Sequence, residues 1–199
     1  MLLRNEVESV VRTGAARFDA RLLLGCWALA SGLCGCESGG VGDPCVPEEE
    51  YAETFSGFSA EEGLVETQSM QCETRVCLIN HFQGRVSCPY GQTAQEAAGG
   101  AARCAVPGSA TPIQGEVLPQ LLKRRAEDTV YCSCRCDGPD KNARYCECPS
   151  GFSCEEVLPP LGRGKEQLVG SYCIREGTMF SRTGVNLAEV CDASQKNCE

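Results

Sequence analysis

Residues Tyr131–Cys154 read YCSCRCDGPDKNARYCECPSGFSC. Cysteines are more closely spaced here than elsewhere in the chain, which has 17 cysteines in 199 residues. Cys132, Cys134 and Cys136 alternate with other residues, so on a β-strand all three side chains would point to one face. Neighbours two apart on a strand are badly placed to bond to each other. The spacing therefore favours a different disulfide partner for each of the three.

A β-hairpin is the structure that this stretch predicts. Its strands would be Thr129–Arg135 and Tyr145–Pro149, both of which alternate with cysteines. Asp137–Arg144, between them, has the composition of a turn.

The hairpin suggests one pattern of disulfides but does not establish it. An antiparallel register that bonds Cys136 to Cys146 places Cys134 opposite Cys148. Fourteen cysteines allow on the order of 10^5 pairings, so the connectivity stays open.

A zinc or copper site is the alternative use of these thiols, and Cys132, Cys134, Cys136, Cys146 and Cys148 would be its ligands. Structural zinc sites commonly use cysteines separated by two to four residues, whereas the spacing here is C-x-C and the chain has no C-x-x-C. The missing C-x-x-C also argues against thioredoxin-like redox chemistry and c-type haem. We therefore predict disulfides, with no metal and no cofactor.

Composition limits the fold and the partners. Val, Ile, Leu and Phe make up only about 18% of residues 37–199, and the formal net charge of the chain is −9. Such a sequence buries too little apolar surface to fold without crosslinks. The acidic balance argues against nucleic acid, because the only basic run is Lys123–Arg125, which we predict to be a solvated face. The fold class predicted is small, disulfide-rich and mainly β, with short helices and long loops.

An export signal precedes the cysteine-rich region. Leu22–Leu33 is uncharged and follows Arg17 and Arg21, as in a signal peptide. The uncharged run is too short to span a bilayer, which takes about 20 residues. Leu33–Cys36 resembles the lipobox of bacterial lipoproteins, and this resemblance implies that Cys36 is lipidated. Ordinary cleaved secretion or a retained anchor is the alternative.

The number of cysteines after Cys36 agrees with a signal peptide that ends at the predicted lipobox. Residues 23–26 also fit the lipobox pattern, but only three leucines precede Cys26. Assigning Cys36 to lipid leaves an even number of cysteines after it, as a fully paired framework requires. The predicted disulfide cysteines are Cys45, Cys72, Cys77, Cys88, Cys104, Cys132, Cys134, Cys136, Cys146, Cys148, Cys154, Cys173, Cys191 and Cys198.

Three regions follow from these signals. Residues 1–36 are predicted to be the signal peptide, residues 37–51 a solvated tether, and residues 52–199 the disulfide-rich domain. A division of this domain into two subdomains, 52–104 and 116–199, is the alternative.

Local patterns predict the elements of the domain. Cys72–Tyr90 should hold two short strands with a turn at Asn80–Gly84, and Gln92–Gly115 should be a long surface loop pinned by Cys104. We expect a short helix over Gln120–Asp128. A strand pair closed by Cys173, Cys191 and Cys198 is expected in Gly170–Glu199.

His81 is the only histidine, so any Ser-His or Cys-His catalytic pair would have to use it. It lies in the predicted turn, and the chain has no G-x-S-x-G motif. We predict a structural or surface role for His81 and no catalytic residues. A pocket that gathers two carboxylates beside His81 would instead favour an enzyme.

The lipobox, CETRVCLINHFQGRVSCPYGQ from Cys72 and the stretch Tyr131–Cys154 together resemble uncharacterised cysteine-rich lipoproteins of myxobacteria, over Gly42–Arg182. The resemblance implies lipid attachment at Cys36 and no particular activity. We expect an exported protein, lipid-anchored in the cell envelope, with a non-enzymatic interaction or structural module. Its partners would be the membrane, through the anchor, and an unidentified envelope protein or extracellular ligand. The alternatives are an envelope hydrolase and a secreted inhibitor or toxin-like ligand.

Overall fold

The strand Val76–Asn80 (VCLIN) is buried along its whole length, at the centre of a three-stranded antiparallel sheet. The computed structural model describes residues 39–158, 169–181 and 186–198. We name the strands β1 (Gly63–Glu66), β2 (Val76–Asn80) and β3 (Val130–Ser133), in the sheet order β1-β2-β3. A strand that is paired at both edges and covered on both faces favours a continuous apolar run, as β2 has. The predicted signal peptide and Cys36 lie outside the described residues.

The two faces of this sheet belong to two cores. Cys77 and Ile79 of β2 point to one face, where they pack with Val130 and Cys132 of β3 and with two aromatic rings, Phe58 and Phe82. On the other face Leu78 and Tyr131 pack with Ile174 of the second sheet. The buried residues of β2 are therefore divided between two cores, and β2 is the one strand in Cys72–Tyr90, where two strands were predicted.

The second sheet contains β4 (Arg135–Asp137), β5 (Phe152–Leu158) and β6 (Gly170–Arg175), in the order β4-β6-β5, and is also antiparallel. Its central strand, β6, places Cys173 opposite Cys154. With two small sheets and only short helices among the described residues, the predicted fold class is confirmed.

All fourteen cysteines predicted to form disulfides are paired, which confirms the disulfide-rich character of the chain. The bridges are Cys45–Cys77, Cys72–Cys132, Cys88–Cys104, Cys134–Cys146, Cys136–Cys154, Cys148–Cys173 and Cys191–Cys198. Cys132, Cys134 and Cys136 have three different partners, as their spacing indicated.

The predicted hairpin is wrong, and the pairing derived from it is wrong as well. β3 pairs with β2 and β4 pairs with β6, so the chain leaves one sheet for the other at Cys134. Residues 145–149 contain no strand and contact β4 only locally, as when the Cys146 amide donates to the Arg135 carbonyl at 3.1 Å. The register on which the pairing depended does not exist.

Residues 39–51, most of the predicted tether, lie against the first sheet. The Gly42 amide donates to the Cys132 carbonyl, and the Cys132 amide donates to the Asp43 carbonyl, both at 2.8 Å. A 3-10 helix, Glu48–Tyr51, buries Glu50. These described residues belong to the compact unit Ser38–Glu199, and the first sheet takes strands from both predicted subdomains.

The long loop Gln92–Gly115 contains a helix, α1 (Ala94–Ala98), and a small core of its own. Thr93 and Glu96 form a capping box at the start of α1. The Gln92 side chain is buried and donates to the carbonyls of Ile113 at 2.9 Å and Gly115 at 2.7 Å. The Cys88–Cys104 bridge closes this core, which supports the expected role of Cys104.

The helix predicted over Gln120–Asp128 is shorter and lies later, as α2 (Ala126–Thr129). Arg124, predicted to lie on a solvated face, is only 6% exposed. The expected strand pair within the tail is wrong, because β6 pairs with β4 and β5 and no other strand occurs in 176–181 or 186–198.

Candidate functional site

His81 follows β2 directly and turns the chain, with a φ of 50°. Its ring stacks on Phe180 with 3.6 Å between ring centroids and 3° between planes. Its Nδ1 lies 3.1 Å from the Ala60 carbonyl oxygen. The ring of the only histidine is thus fixed by its contacts with Phe180 and with the Ala60 carbonyl.

Arg124 completes the support of this turn. Its Nη2 donates to the Asn80 carbonyl at 2.7 Å and its Nε donates to the His81 carbonyl at 2.9 Å. The guanidinium also lies 5.6 Å from the centroid of the Phe180 ring. Burial lowers the pKa of the guanidinium, yet the group stays charged because arginine titrates far above neutrality.

Two glutamates, Glu155 and Glu156, line a small cavity together with His81, and such a pocket is what the enzyme hypothesis requires. Asn80, His81, Glu155, Glu156 and Phe180 contribute to its lining, and its volume is about 90 Å³. Pockets that hold small-molecule ligands usually have volumes of roughly 300 Å³ or more. The cavity could accept water or a very small group, but not a sugar or a peptide side chain.

Two larger clefts elsewhere on the domain are lined in part by consecutive stretches of the chain, and each has a volume of about 460 Å³. We call them cleft A and cleft B. Cleft A is lined by residues 56–59 together with Gln83, Glu116 and Leu118. Cleft B is lined by one side of α1, by residues 112–115 and by Glu53.

Gln114 and Glu53, which both line cleft B, are hydrogen-bonded to each other. The Gln114 amide donates to the Glu53 carbonyl at 3.1 Å, and its Nε2 donates to the Glu53 carboxylate at 2.9 Å. These bonds hold Glu53 next to residues 112–115 in the wall of cleft B.

Backbone forms part of the wall of cleft A. Gly57 has a φ of 111°, and a Cβ atom there would lie 2.8 Å from the carbonyl carbon and oxygen of Gly84. Phe58 and Gly84 exchange two backbone hydrogen bonds, at 2.8 and 3.0 Å. Only glycine allows two backbones to approach this closely with a positive φ.

The charged side chains at the cleft walls are both acidic, and neutral polar and apolar residues make up the rest. Glu53 and Glu116 are exposed, no Lys or Arg from the described part of the chain lines either cleft, and Leu118 is 52% exposed in the lining of cleft A. The clefts are therefore suited to a cationic ligand with an apolar part. Sequence reasoning missed both clefts, because their walls come from segments that are far apart in the chain.

Sulfur atoms form two further clusters. In one, Sγ atoms of Cys45, Cys72 and Cys132 lie within 4.8 Å of one another. The other brings together Cys134, Cys136, Cys146, Cys148 and Cys173, in two groups that share Cys173. These spacings would suit a thiophilic metal, but thiolates are the ligands of such metals and every one of these sulfur atoms is in a disulfide.

Comparison with known proteins gives no relative: no protein family, no curated protein and no solved structure matches this chain. Within residues 39–158, 169–181 and 186–198, no helix combines the length and the apolar character of a membrane span.

Proposed function

We propose that this protein is a lipid-anchored component of the bacterial cell envelope whose disulfide-rich domain is an interaction module. The observation that carries the proposal is the sulfur framework, in which all fourteen cysteines of the described chain are paired. Disulfides persist in exported proteins and are reduced in the cytosol. The framework therefore supports an exported location, and the lipobox at Leu33–Cys36 supports lipid as the means of attachment.

Replacing the lipid-bearing cysteine tests the anchor. Cys36→Ser should release the protein from the membrane fraction or leave it as unprocessed precursor, while Cys26→Ser, at the other lipobox-like site, should leave it attached. Mass spectrometry should find a diacylated Cys36 at the mature N-terminus. Any other mature N-terminus would overturn the assignment.

The ligand that we propose for clefts A and B is a basic segment of an envelope polypeptide. The charges carry this step: the cleft walls present Glu53 and Glu116, and the whole chain has a formal net charge of −9. Leu118 offers an apolar contact beside these carboxylates. Attraction between exposed charges weakens as salt is added, with a screening length of about 10 Å at 0.1 M.

Peptide binding tests the clefts directly. The oxidised protein from Cys36 onward should bind lysine-rich peptides that carry one leucine more tightly than glutamate-rich peptides of equal length, and binding should weaken with salt. The double variant Glu53→Gln, Glu116→Gln should lose this preference. Glu73→Gln, Glu176→Gln removes the same charge outside both clefts and should retain it. Equal loss in both double variants would contradict the cleft assignment.

A hydrolase is the second candidate function, because His81, Glu155 and Glu156 share one cavity. Its small volume and the stacking of His81 on Phe180 favour a structural role for the ring. His81→Gln should therefore leave peptide binding unchanged in protein that folds normally. Hydrolysis of an ester or peptide substrate by the wild-type protein, abolished in folded His81→Gln, would establish the enzyme instead.

A further inference from the structure

Cys173 lies at the centre of the larger sulfur cluster. It is bonded to Cys148, and its Sγ lies 3.5 Å from Sγ of Cys134 and 3.8 Å from Sγ of Cys146, which form another bridge. Two disulfides are thus in van der Waals contact. A thiolate released from one of them would have a sulfur atom of the other within reach.

Cys134 and Cys173 are held together by the backbone as well as by their neighbours. Arg135 and Tyr172 are partners in the β4-β6 ladder, so Cys134 and Cys173 occupy the next opposed position. The Cys173 amide donates to the Cys134 carbonyl at 3.1 Å, and the Ser133 hydroxyl donates to the Cys173 carbonyl at 2.9 Å. Opposed residues have Cα atoms about 4.5–5.5 Å apart, within the range that a disulfide spans.

Cys146 and Cys148, by contrast, lie on an exposed segment without regular structure. Residues 138–151 contain no strand or helix and no buried residue. The two bridges fasten this segment to the second sheet, and both of its cysteines are partly exposed, whereas Cys134 and Cys173 are buried. A reductant can reach the segment side of each bridge more easily than the sheet side.

We propose that these four cysteines form a thiol–disulfide exchange site, in which two-electron reduction by a dithiol leaves Cys134 bonded to Cys173 and frees Cys146 and Cys148 as a C-E-C dithiol. The sheet already holds Cys134 and Cys173 side by side, so their bond orders no further chain. The two original bridges each close a loop, and opening them returns conformational freedom to residues 138–151.

The exchange is balanced in bonds, electrons and protons. A thiolate of the dithiol attacks Cys146, the Cys134–Cys146 bond breaks, and Cys134 leaves as a thiolate. Cys134 attacks Cys173, the Cys148–Cys173 bond breaks, and Cys148 leaves and takes a proton. The second thiol of the reagent closes its own disulfide and releases Cys146, which takes the other proton. The dithiol is oxidised and the protein gains two thiols.

The smaller cluster is a built-in comparison. Its bridges, Cys45–Cys77 and Cys72–Cys132, also lie close together, but all four cysteines are at most 1% exposed. They should therefore stay oxidised under conditions in which the larger cluster reacts.

Partial reduction followed by peptide mapping tests the exchange site. The oxidised protein is treated with one equivalent of dithiothreitol, quenched with N-ethylmaleimide, and digested with trypsin without further reduction. Cleavage after Arg135, Lys141 and Arg144 separates Cys134 from Cys136 and from Cys146. We expect two labels per reacted chain, on Cys146 and Cys148, and a crosslink between the peptides that contain Cys134 and Cys173.

Labels on Cys134 and Cys146, on Cys148 and Cys173, or on Cys136 and Cys154 would show simple opening of one bridge and would overturn the proposal. Two double variants test the same bond without a reductant. Cys146→Ser, Cys148→Ser should form Cys134–Cys173 spontaneously and contain no free thiol, whereas Cys134→Ser, Cys173→Ser should contain two. Two free thiols in the first variant would also overturn the proposal, and if it fails to fold, the wild-type map decides.

Discussion

Glu50 and Arg85 are charged residues at positions where an apolar core would be expected, and both are 0% exposed. The Glu50 carboxylate accepts hydrogen bonds from the Ser87 amide at 3.1 Å and the Ser87 hydroxyl at 2.8 Å, and from the Val86 amide. The Arg85 guanidinium donates to the Phe55 carbonyl at 2.6 Å. Burial lowers the pKa of Arg85, and the Glu50 charge opposes that effect. This pair fastens the 3-10 helix to the domain.

Removing the Glu50 charge should destabilise the fold, because the Arg85 charge would then be buried without a partner. Glu50→Gln leaves Arg85 without a counter-charge, and a broken buried pair typically costs about 3–5 kcal/mol. The free energy of unfolding, measured in guanidinium chloride with the disulfides intact, should fall by about that amount. Glu49→Gln, on the exposed neighbour, should change it by less than about 1 kcal/mol. Equal effects would contradict the assigned role of Glu50.

A second prediction of this kind concerns Arg124. Its side chain donates hydrogen bonds to the carbonyl oxygens of Asn80, His81 and Thr178. Arg124→Met should lower the free energy of unfolding by about 3 kcal/mol, since unpaired buried carbonyls cost about 1–3 kcal/mol each. Arg125→Met removes an arginine whose ion pair with Glu127 is at the surface, so it should have a much smaller effect. Denaturant titration of both oxidised variants makes the comparison.

None of these residue roles could be predicted from the sequence. Lys123–Arg125 is a basic triplet, and basic triplets are usually solvated. What decides the burial of Arg124 is the set of carbonyls that converge on it from β2 and from Thr178, 54 residues away. A single sequence does not show which carbonyls meet.

At the scale of elements, sequence patterns succeeded where an element depends on its own residues. The apolar run VCLIN gives β2, and the T-x-x-E at Thr93–Glu96 is a capping signal that could have revealed α1. The patterns failed for Tyr131–Cys154, because alternation identifies extended chain but not its partner. The chain changes sheets at Cys134, and local alternation is the same on both sides of that point.

The capping box of α1 should respond to pH. Hydrogen bonds lower the pKa of Glu96 to about 2 from 4.5. The largest effect comes from the Arg103 side chain and the next from the Thr93 amide. A lowered pKa means that this support for α1 is complete above pH 4.5 and is lost as the pH falls toward 2. NMR titration should measure the pKa of the Glu96 carboxyl group. The amide chemical shifts of α1 should report the loss of helix over the same pH range.

Arg103→Gln removes the largest cause and should raise the pKa of Glu96 toward 4.5. The control, Arg125→Gln, removes an arginine that pairs with Glu127 instead of Glu96, and it should leave the pKa at about 2. An unchanged pKa in Arg103→Gln would show that the ion pair does not form in solution.

At the scale of the whole molecule, covalent bridges join parts that share little apolar surface. Among the described residues the cores are small, and two of the three contain a bridge, Cys45–Cys77 in one and Cys88–Cys104 in another. Small domains with few buried aliphatic residues depend on such crosslinks, which contribute about 2–4 kcal/mol each. Composition alone was sufficient to predict that the fold is disulfide-rich.

Complete reduction should therefore unfold the domain. With excess reductant the β-sheet circular dichroism should disappear, whereas a chelator should leave it unchanged. The oxidised protein should contain no free thiol in denaturant and weigh two hydrogens less per bridge than the reduced form, for the seven bridges. Four or five alkylatable thiols together with about one bound metal per chain would establish the metal site instead.

The bridge between Cys45 and Cys77 has a mechanical consequence. It ties the first of the described residues to the central strand of the first sheet instead of an edge. A pull on Gly39 can peel away only the few residues before Cys45, a segment that extends to at most about 20 Å at roughly 3.4 Å per residue. Beyond that, the tension passes through the sulfur–sulfur bond into β2. Under a constant force applied at Gly39, the oxidised domain should therefore take much longer to unfold than the reduced domain.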